Sequence, residues 1–399
     1  MTLPLTGVKV LDFSEHGFVP AAAAALADFG ADVVKIERVE GDAMRSIIPS
    51  GMVPSKDGYD FLFELVNRNK RGIALDVRHT EGRRIFEKLV KWADVAITNQ
   101  LPRVQRKLHT EPSDLLALNP RLVVAKGHGQ GQRGPEAEAG GYDAVSYWAR
   151  GGVAHVLTDE GAARPAQQRP AIGDIPSGMF LAGGICAALV HVSRTGEGTV
   201  VDTSLLGSAA WNLGPDMAYA SLTGEQLPKA PLKDMAPLIR QYRSADDRWV
   251  ALMMIDEARY WEPALVALGL DALVDAYPDA AARKENRESI AVQIGAVIAG
   301  LDSAAITERL GSRQCIFSFY STPVDVQTDT AVTANGYLMR HPEHPDLKLS
   351  AAPVQFDDEM PSIRRAAPSK GQHTREVLSE IGYSAEEIVA MLDSEVVVE

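Results

Sequence analysis

Residues 8–37, VKVLDFSEHGFVPAAAAALADFGADVVKIE, determine the fold class of this chain. Val8 to Phe13 is a short apolar run typical of a buried strand, and Val33 to Glu37 is a second one. The alanine-rich run Pro20 to Phe29 between them predicts a helix, with proline in its first turn and Gly30 just past its end. Strand, helix and strand in about thirty residues form a βαβ unit, which requires a parallel sheet.

The same alternation continues along the chain and predicts a doubly wound, Rossmann-like α/β domain. Its further elements are the strands Ile73–Val77, Val95–Thr98, Leu122–Ala125 and Thr199–Thr203, and the helices Thr80–Trp92 and Ile175–Val192. Residues 127–152 are glycine-rich and polar, which indicates a functional loop. After a boundary around 223–237, the strand Trp249–Met254 and a run of helical patterns predict a smaller α+β domain at 225–330.

Composition excludes several classes of function. The 399 residues carry a formal net charge of −13, which disfavours nucleic acid as a partner. The start of the chain lacks a signal-peptide pattern, and no uninterrupted apolar stretch reaches the length that spans a bilayer. The two cysteines form neither a disulfide framework nor a metal-ligand set, so we predict a cytoplasmic protein with no metal.

The familiar nucleotide signatures are also absent. The first strand is followed by a turn with the single glycine Gly17, where a dinucleotide fold requires three, and no Walker motif is present. Basic residues are nevertheless frequent in the first quarter of the chain. Each is most simply a solvated surface charge, but as a group they are suited to a polyphosphate ligand: Lys35, Arg38, Arg68, Lys70, Arg71, Arg103, Arg106 and Lys107.

An ordered set of short motifs resembles the class III CoA-transferases, the CaiB/BaiF-type family that includes formyl-CoA transferase and carnitine CoA-transferase. The set covers nearly the whole chain, and its order is more specific than any one member. Its members are residues 4–13 (PLTGVKVLDF), 30–38 (GADVVKIER), Asn69-Lys70-Arg71 with Leu75-Asp76, Ala93-Asp94-Val95, Asn119-Pro120-Arg121, Gly173-Asp174 with Gly178-Met179, and Gly371 with His373-Thr374.

The resemblance implies a particular architecture. A Rossmann-like large domain of residues 1–222 would be completed by residues 335–399, and the small domain would span 225–330. Two subunits would be threaded through each other as an interlocked homodimer, with linkers at about 195–230 and 320–350 as the crossing segments.

Asp174 has two interpretations. Its place directly before a helix, with Pro176 in the first turn, is that of an ordinary N-cap. Gly173-Asp174 also matches the position at which the family carries its catalytic aspartate. That role implies transfer of CoA from an acyl-CoA donor to a small carboxylic acid through an aspartyl anhydride and an aspartyl thioester. A helix N-terminus would stabilise the carboxylate and offer backbone N–H groups to an oxyanion.

Tyr142 distinguishes between activities within this fold. CoA-transferase relatives place a tyrosine there near the active carboxylate, although the residue is equally well explained as an aromatic anchor of its loop. Relatives that racemise α-methylacyl-CoA carry histidine followed by aspartate, whereas here Tyr142 precedes Asp143. His128 could replace the missing base, but an exposed loop histidine is the simpler interpretation. A racemase or isomerase, and a catalytically silent CoA-binding protein, remain as alternatives.

The substrate positions also follow from the resemblance. Coenzyme A would be bound as a substrate, with no tightly bound cofactor, and Arg38 is the first candidate for its phosphates, followed by Lys70, Arg71 and Arg103. Asn99 matches a family asparagine at a strand end. Formyl-CoA transferases have glutamine at Gly17, so Glu15, His16 and Gly17 are predicted to line a pocket for a larger or more apolar acid. Further candidates for that pocket are Tyr242, Met253 and Trp261.

Overall fold

A computed structural model describes residues 2–399. The chain divides into two compact units, one running to Ser221 and including Ala331–Glu399, the other formed by Leu222–Thr330. Each unit has a hydrophobic core of its own.

The larger unit contains a seven-stranded sheet. Its strands are β1 (Lys9–Asp12), β2 (Asp32–Glu37), β3 (Lys70–Leu75), β4 (Val95–Thr98), β5 (Val123–His128), β6 (Thr199–Ser204) and β12 (Val397–Val398), in the spatial order β12-β3-β2-β1-β4-β5-β6. The first six strands pair in parallel, whereas β12 pairs antiparallel with β3. The predicted α/β fold with a parallel sheet is therefore confirmed, and the order 3-2-1-4-5-6 is that of the Rossmann fold.

Helices cover both faces of this sheet. The helices of residues 2–223 and 374–393 are α1 (Phe18–Asp28), α2 (Phe61–Asn67), α3 (Thr80–Trp92), α4 (Pro102–Leu108), α5 (Pro112–Leu118), α6 (Val153–Leu157), α7 (Asp174–Thr195), α8 (Leu205–Asn212), α9 (Gly214–Thr223), α17 (Thr374–Glu380) and α18 (Ala385–Asp393). Helices α1 and α7 pack on one face and α3, α17 and α18 on the other. Burial on both faces explains the consecutive apolar residues in the inner strands, such as Val10-Leu11 in β1 and Val33-Val34 in β2.

Helix α7 corrects the expectation that no segment is long enough to span a membrane. It has 22 residues, and an 18-residue window within it has a mean hydropathy of 1.7, which satisfies that criterion by length and composition. Leu181, Ala182 and Ile185, however, are fully buried in the core that α7 shares with α1. Packing inside the large unit accounts for the apolar character of this side of the helix.

The smaller unit has a three-stranded antiparallel sheet with helices on one face. Its strands are β7 (Ile239–Arg243), β8 (Trp249–Met253) and β9 (Phe317–Phe319), and its helices are α10 (Glu257–Ala267), α11 (Ala272–Ala276), α12 (Ala280–Glu285), α13 (Arg287–Ala299), α14 (Ser303–Ser312) and α15 (Pro323–Val326). Helix α16 (Thr330–Ala334) and the hairpin β10 (Leu338–Arg340) and β11 (Lys348–Ser350) follow it in the chain.

The predicted loop at 127–152 is partly ordered. Strand β5 extends through its first residues to His128, and residues Ala144–Ala149 form a short π-helix. The prediction that His128 is an exposed loop residue is therefore wrong. It is buried, and its Nε2 lies 2.6 Å from a carboxylate oxygen of Asp202.

Candidate active site

A cavity of about 460 Å³ opens at the carboxyl ends of β1 to β4. It is lined by the residues that follow these four strands and by the glycine-rich loop: Phe13, Glu15, His16, Arg38, Val39, Glu40, Leu75, Asp76, Val77, Arg78, Asn99, Gln100, Leu101, Val104, Leu108, Gly140, Gly141 and Tyr142. Strand order reverses between β1 and β4, and ligands of open α/β sheets bind at such switch points. The topology thus identifies this cavity as the first candidate site.

The loop between β1 and α1 forms one wall of the cavity and is tied to the neighbouring strands. The side-chain oxygen of Asn99 accepts from the Glu15 N–H at 3.1 Å, and its Nδ2 donates to the Glu15 carbonyl at 2.7 Å. His16 has a positive φ of 68°, which is uncommon for a residue with a side chain. Asn99 lines the cavity as predicted for a ligand contact, but its amide is engaged in holding this loop.

Gly17 lies directly against the carboxylate of Asp174. A β-carbon at position 17 would lie 2.5 Å from Oδ2 of Asp174, so any side chain would collide with it. The two residues stand near the starts of α1 and α7, which approach closely because Gly178 leaves room for Ala21. The structure therefore brings together Gly17 and Asp174, two residues that the sequence places far apart.

Asp174 is not the N-cap of α7. It is the first residue of the helix, the cap position belongs to Gly173, and Asp174 makes no capping hydrogen bond. Asp143 acts there instead, since its Oδ2 accepts from the Gly173 N–H at 3.0 Å. Gly173 must lack a side chain because a β-carbon would collide with Asp143 and with the ring of Tyr147. The nucleophile candidate is thus left free of the capping role.

Two of the N–H groups expected to serve as oxyanion donors at this helix N-terminus are occupied. Asp143 accepts from the Gly173 N–H, and Ile175 donates to the Ala171 carbonyl. The residue after Ile175 is a proline, which has no N–H group. Sequence reasoning could not detect this, because it depends on Asp143, which lies 30 residues before Gly173. The helix dipole still favours negative charge at this end.

Electrostatics distinguish Asp174 from an ordinary surface aspartate. Burial, and secondarily the nearby Asp143 carboxylate, raises the pKa of Asp174 to about 7. Burial also raises the pKa of Asp143. A carboxylate with a raised pKa is more basic than a free one and still ionises near neutrality, as a nucleophile requires.

Tyr142 lies at the rim of the cavity. Its side chain is 63% exposed, and its ring packs edge-on against the imidazole of His16 with the centroids 5.4 Å apart. The predicted pocket residues Glu15 and His16 therefore line one space with Tyr142, which was predicted as a catalytic residue beside Asp174. Gly17, the third predicted pocket residue, follows directly after His16 in the chain.

Two arginines point to the cavity. The Nε of Arg38 donates to Glu15 at 2.8 Å, and the arginine side chain remains 59% exposed. Arg78, which sequence analysis missed, also lines the cavity and pairs with Asp76 at 2.8 Å. The sequence did indicate Arg78 as a candidate, because it follows the family motif Leu75-Asp76 at the end of a strand that is adjacent to β2.

Other predicted phosphate contacts lie elsewhere. Lys70 is fully buried, and its ammonium donates to Asp12, to the Pro20 carbonyl and to Asn67. Arg71 is buried between Asp32, Glu376 and Glu380. Neither side chain has a donor facing the cavity, so the prediction that Lys70 and Arg71 contact the CoA phosphates is corrected. Arg103 is exposed outside the cavity lining and donates to the Glu138 carbonyl.

Two predicted pocket residues belong to a core. Tyr242 and Trp261 are buried among the apolar side chains of the smaller unit, whereas Met253 is 45% exposed there. Within residues 2–399, no group of three or more His, Cys, Asp or Glu side chains is placed to hold a metal ion.

Comparison with known proteins identifies the family of the chain. Residues 5–374 match the model of CoA-transferase family III. The (R)-2-hydroxy-4-methylpentanoate CoA-transferase of Clostridioides difficile is 30% identical over 98% of this chain and 99% of its own length. The cinnamoyl-CoA:phenyllactate CoA-transferase of Clostridium sporogenes is 30% identical over 96% and 94%.

A solved structure gives the same result for the fold. A CaiB/BaiF family protein from Brucella suis superposes with a TM-score of 0.81 at 25% identity, covering 96% of this chain and all of that one. The chain belongs to CoA-transferase family III. It is accordingly a CoA-transferase, and CoA thioesters and carboxylic acids are its substrates.

Proposed function

We propose that this enzyme moves CoA between carboxylic acids through a covalent intermediate on Asp174. The observation that carries the proposal is the carboxylate of Asp174, half-buried at the start of α7 and packed against Gly17, with a pKa raised to about 7. Gly17 directly follows His16, which lines the cavity at the strand ends. The loop that Asp174 contacts is thus also a wall of the cavity in which we place the CoA thioester.

The chemistry starts with an oxygen of Asp174 attacking the thioester carbonyl. The C–S bond breaks, the CoA thiolate leaves, and a mixed anhydride remains on the enzyme. The thiolate then attacks the aspartyl carbonyl, which releases the donor acid and leaves an aspartyl-CoA thioester. The incoming carboxylate attacks that thioester, and the released thiolate attacks the acyl carbonyl of the second anhydride. The products are the new acyl-CoA and a free Asp174.

Trapping of the intermediate tests this mechanism. The enzyme is incubated with an acyl-CoA and then with hydroxylamine, which should convert Asp174 to a hydroxamate detectable by mass spectrometry of its peptide. Asp174→Asn retains the shape of the side chain but lacks the nucleophile, so it should form no adduct. An active enzyme whose Asp174 is never modified, or an active asparagine variant without deamidation, would refute the proposal.

Arg38 and Arg78 are the residues we propose for the CoA phosphates. Both line the cavity, and both remain more than half exposed while paired to a carboxylate. A phosphate can therefore reach either guanidinium without disrupting the core. CoA is bound in this scheme only as a substrate.

The acceptor is proposed to be larger than formate or oxalate. The formyl-CoA transferases of this family have glutamine where this chain has Gly17, so the polar side chain that they carry at this position is missing here. The names of the two relatives above contain a branched hydroxy acid and an aryl hydroxy acid, respectively. A panel of free acids offered with a common CoA donor, followed by mass spectrometry, should show faster transfer to such acids than to oxalate.

Racemase chemistry is the alternative, and the site does not favour it. It needs a proton-transfer group opposite Asp174. Tyr142 stands at the position of the family histidine, and His128 is paired with Asp202 rather than lining the cavity. We expect no exchange of solvent deuterium into the α-position of a 2-methylacyl-CoA.

We also propose that the chain forms the interlocked homodimer of its family in the cytoplasm. Helix α9 has no buried residue, Trp211 on α8 is 76% exposed, and Phe180 and Val190 project from α7. Exposed apolar side chains on three consecutive helices are typical of a surface that a second subunit covers. Light scattering should give twice the chain mass, undiminished on dilution.

A further inference from the structure

A cluster of four buried charges lies beneath the loop that contacts Asp174. Lys35 pairs with Asp42 and Lys70 pairs with Asp12, each pair at 2.8 Å and each side chain fully buried. Burying charged pairs is costly, and apolar side chains of similar size would often give equal or better stability. The position of this cluster therefore suggests a role beyond stability.

The cluster contacts the backbone of residues 14–17, here called the β1–α1 loop. Asp42 Oδ1 accepts from the His16 N–H at 3.2 Å, and Lys35 Nζ donates to the Ser14 carbonyl at 2.9 Å. Asp12 Oδ1 accepts from the Ser14 N–H at 3.1 Å. The Glu15 N–H donates to the side-chain oxygen of Asn99. Side chains therefore accept hydrogen bonds from the N–H groups of three consecutive loop residues, Ser14, Glu15 and His16.

These contacts hold the loop in a conformation that it would not favour alone. His16 has its φ at 68°, and the next residue, Gly17, packs on the Asp174 carboxylate. A small rotation of the His16–Gly17 peptide would change the distance between Gly17 and that carboxylate. Strained backbone of this kind persists only where the surroundings enforce it.

We propose that Asp42 is a positioning residue for the reaction, acting through His16 and Gly17 to fix the space in front of Asp174. This proposal rests on the proposed role of Asp174 as the nucleophile. Lys35 holds Asp42 in its ionised form: although burial acts to raise the pKa of Asp42, the ammonium of Lys35 lowers it. The same carboxylate also accepts from the Met44 N–H at 2.9 Å, which fixes its orientation.

Two variants separate positioning from ion pairing. Asp42→Ala removes the acceptor for the His16 N–H, whereas Asp42→Asn retains an oxygen there and replaces the charged oxygen that faces Lys35 with an amide NH2 group. If Asp42 positions the loop, single-turnover formation of the Asp174 adduct should slow at least about tenfold in the alanine variant and distinctly less in the asparagine variant. The KM for acyl-CoA should change less than kcat, because Arg38 and Arg78 are untouched.

The matched control is Asp28, which forms another almost fully buried ion pair, with Arg68 at 2.6 Å. Its carboxylate accepts from Arg68 and Asn69, which lie outside the β1–α1 loop. Asp28→Ala should destabilise the protein similarly and leave the adduct rate unchanged well below the melting temperature. Equal impairment of Asp42→Ala, Asp42→Asn and Asp28→Ala, in proportion to lost stability, would overturn the proposal.

Hydrogen exchange gives a readout that does not depend on the nucleophile. Peptides covering residues 13–19 should exchange faster in Asp42→Ala than in the wild type or in Asp28→Ala. Unchanged exchange in that peptide refutes the positioning role even if Asp174 is the nucleophile. Faster exchange without any trapped adduct in the wild type supports the role of Asp42 in holding the loop and rejects the proposed function instead.

Discussion

Replacing Asp174 by asparagine should abolish transfer and make the protein more stable at alkaline pH. The ordinary pKa of an aspartate is 3.8, and in the folded chain burial and Asp143 raise it to about 7. This difference corresponds to about 4 kcal/mol that the folded state loses when Asp174 ionises. Asp174 keeps some contact with water, which reduces the effect, so we expect a gain of about 2–4 kcal/mol at pH 8.

The sign of the pH dependence follows from linkage. The group binds its proton more tightly in the folded state, so its contribution to stability is fully present below about pH 4 and is lost as the pH rises through about 7. The amide of the asparagine variant does not titrate, and the stabilisation by this substitution should therefore be large at pH 8 and vanish near pH 4. In melting temperature we expect a rise of roughly 3–8 °C at pH 8.

Differential scanning fluorimetry of both proteins between pH 4 and 8.5 measures this difference. Asp302→Asn is a suitable control, because it changes an exposed residue that caps α14 in the smaller unit and should have little effect at any pH. A variant that is equally stable or less stable than the wild type at pH 8, with a difference that does not depend on pH, would show that Asp174 is not held in a costly ionised state.

Three further predictions concern the same site. The value of kcat/KM should fall as the pH drops below about 7, because Asp174 must be ionised to attack. Asp143→Asn should shift this fall to lower pH, because it removes a charge that raises the Asp174 pKa, and an unshifted pH profile would show that Asp143 does not affect Asp174. Gly17→Ala should reduce the rate of adduct formation at least about tenfold with little loss of melting temperature, since its β-carbon would lie 2.5 Å from Asp174; a wild-type rate would contradict the packing. Arg38→Ala should raise the KM for acyl-CoA about tenfold, whereas Arg71→Ala should lower the melting temperature with little effect on KM; steady-state kinetics and melting curves decide between these outcomes.

Local sequence pattern predicted the sheet well, because that information is local. The run Val8 to Phe13 and the alanine-rich helix after it indicated the βαβ unit that β1, α1 and β2 form. Pattern was less informative where a segment's environment decides the outcome. His128 was assigned to a loop, but a sixth parallel strand beside β5 extends the pairing to that residue and buries it.

The basic residues show a second limit. Lys70 and Arg71 share the family motif with residues near the cavity, and their charge suggested phosphate contacts. Their partners Asp12, Asp32, Glu376 and Glu380 come from other strands and from the C-terminal helix α17, so only the folded chain shows that these charges are already neutralised. Arg78 was overlooked although it lies at the cavity. A charged residue can be assigned to a ligand only after its protein partners are known.

The two interpretations of Asp174 are reconciled by Asp143. Local sequence favoured Asp174 as a helix cap, and a carboxylate that accepts backbone N–H bonds is a poor nucleophile because those bonds lower its pKa. Here Asp143 accepts the bond from the Gly173 N–H at the helix start, and Asp174 makes no capping bond that would stabilise its charge. The same Asp143 carboxylate adds to burial in raising the Asp174 pKa to about 7. One residue, 30 positions before Gly173, thus caps the start of the helix and leaves its first side chain free of capping bonds, as the proposed nucleophile requires.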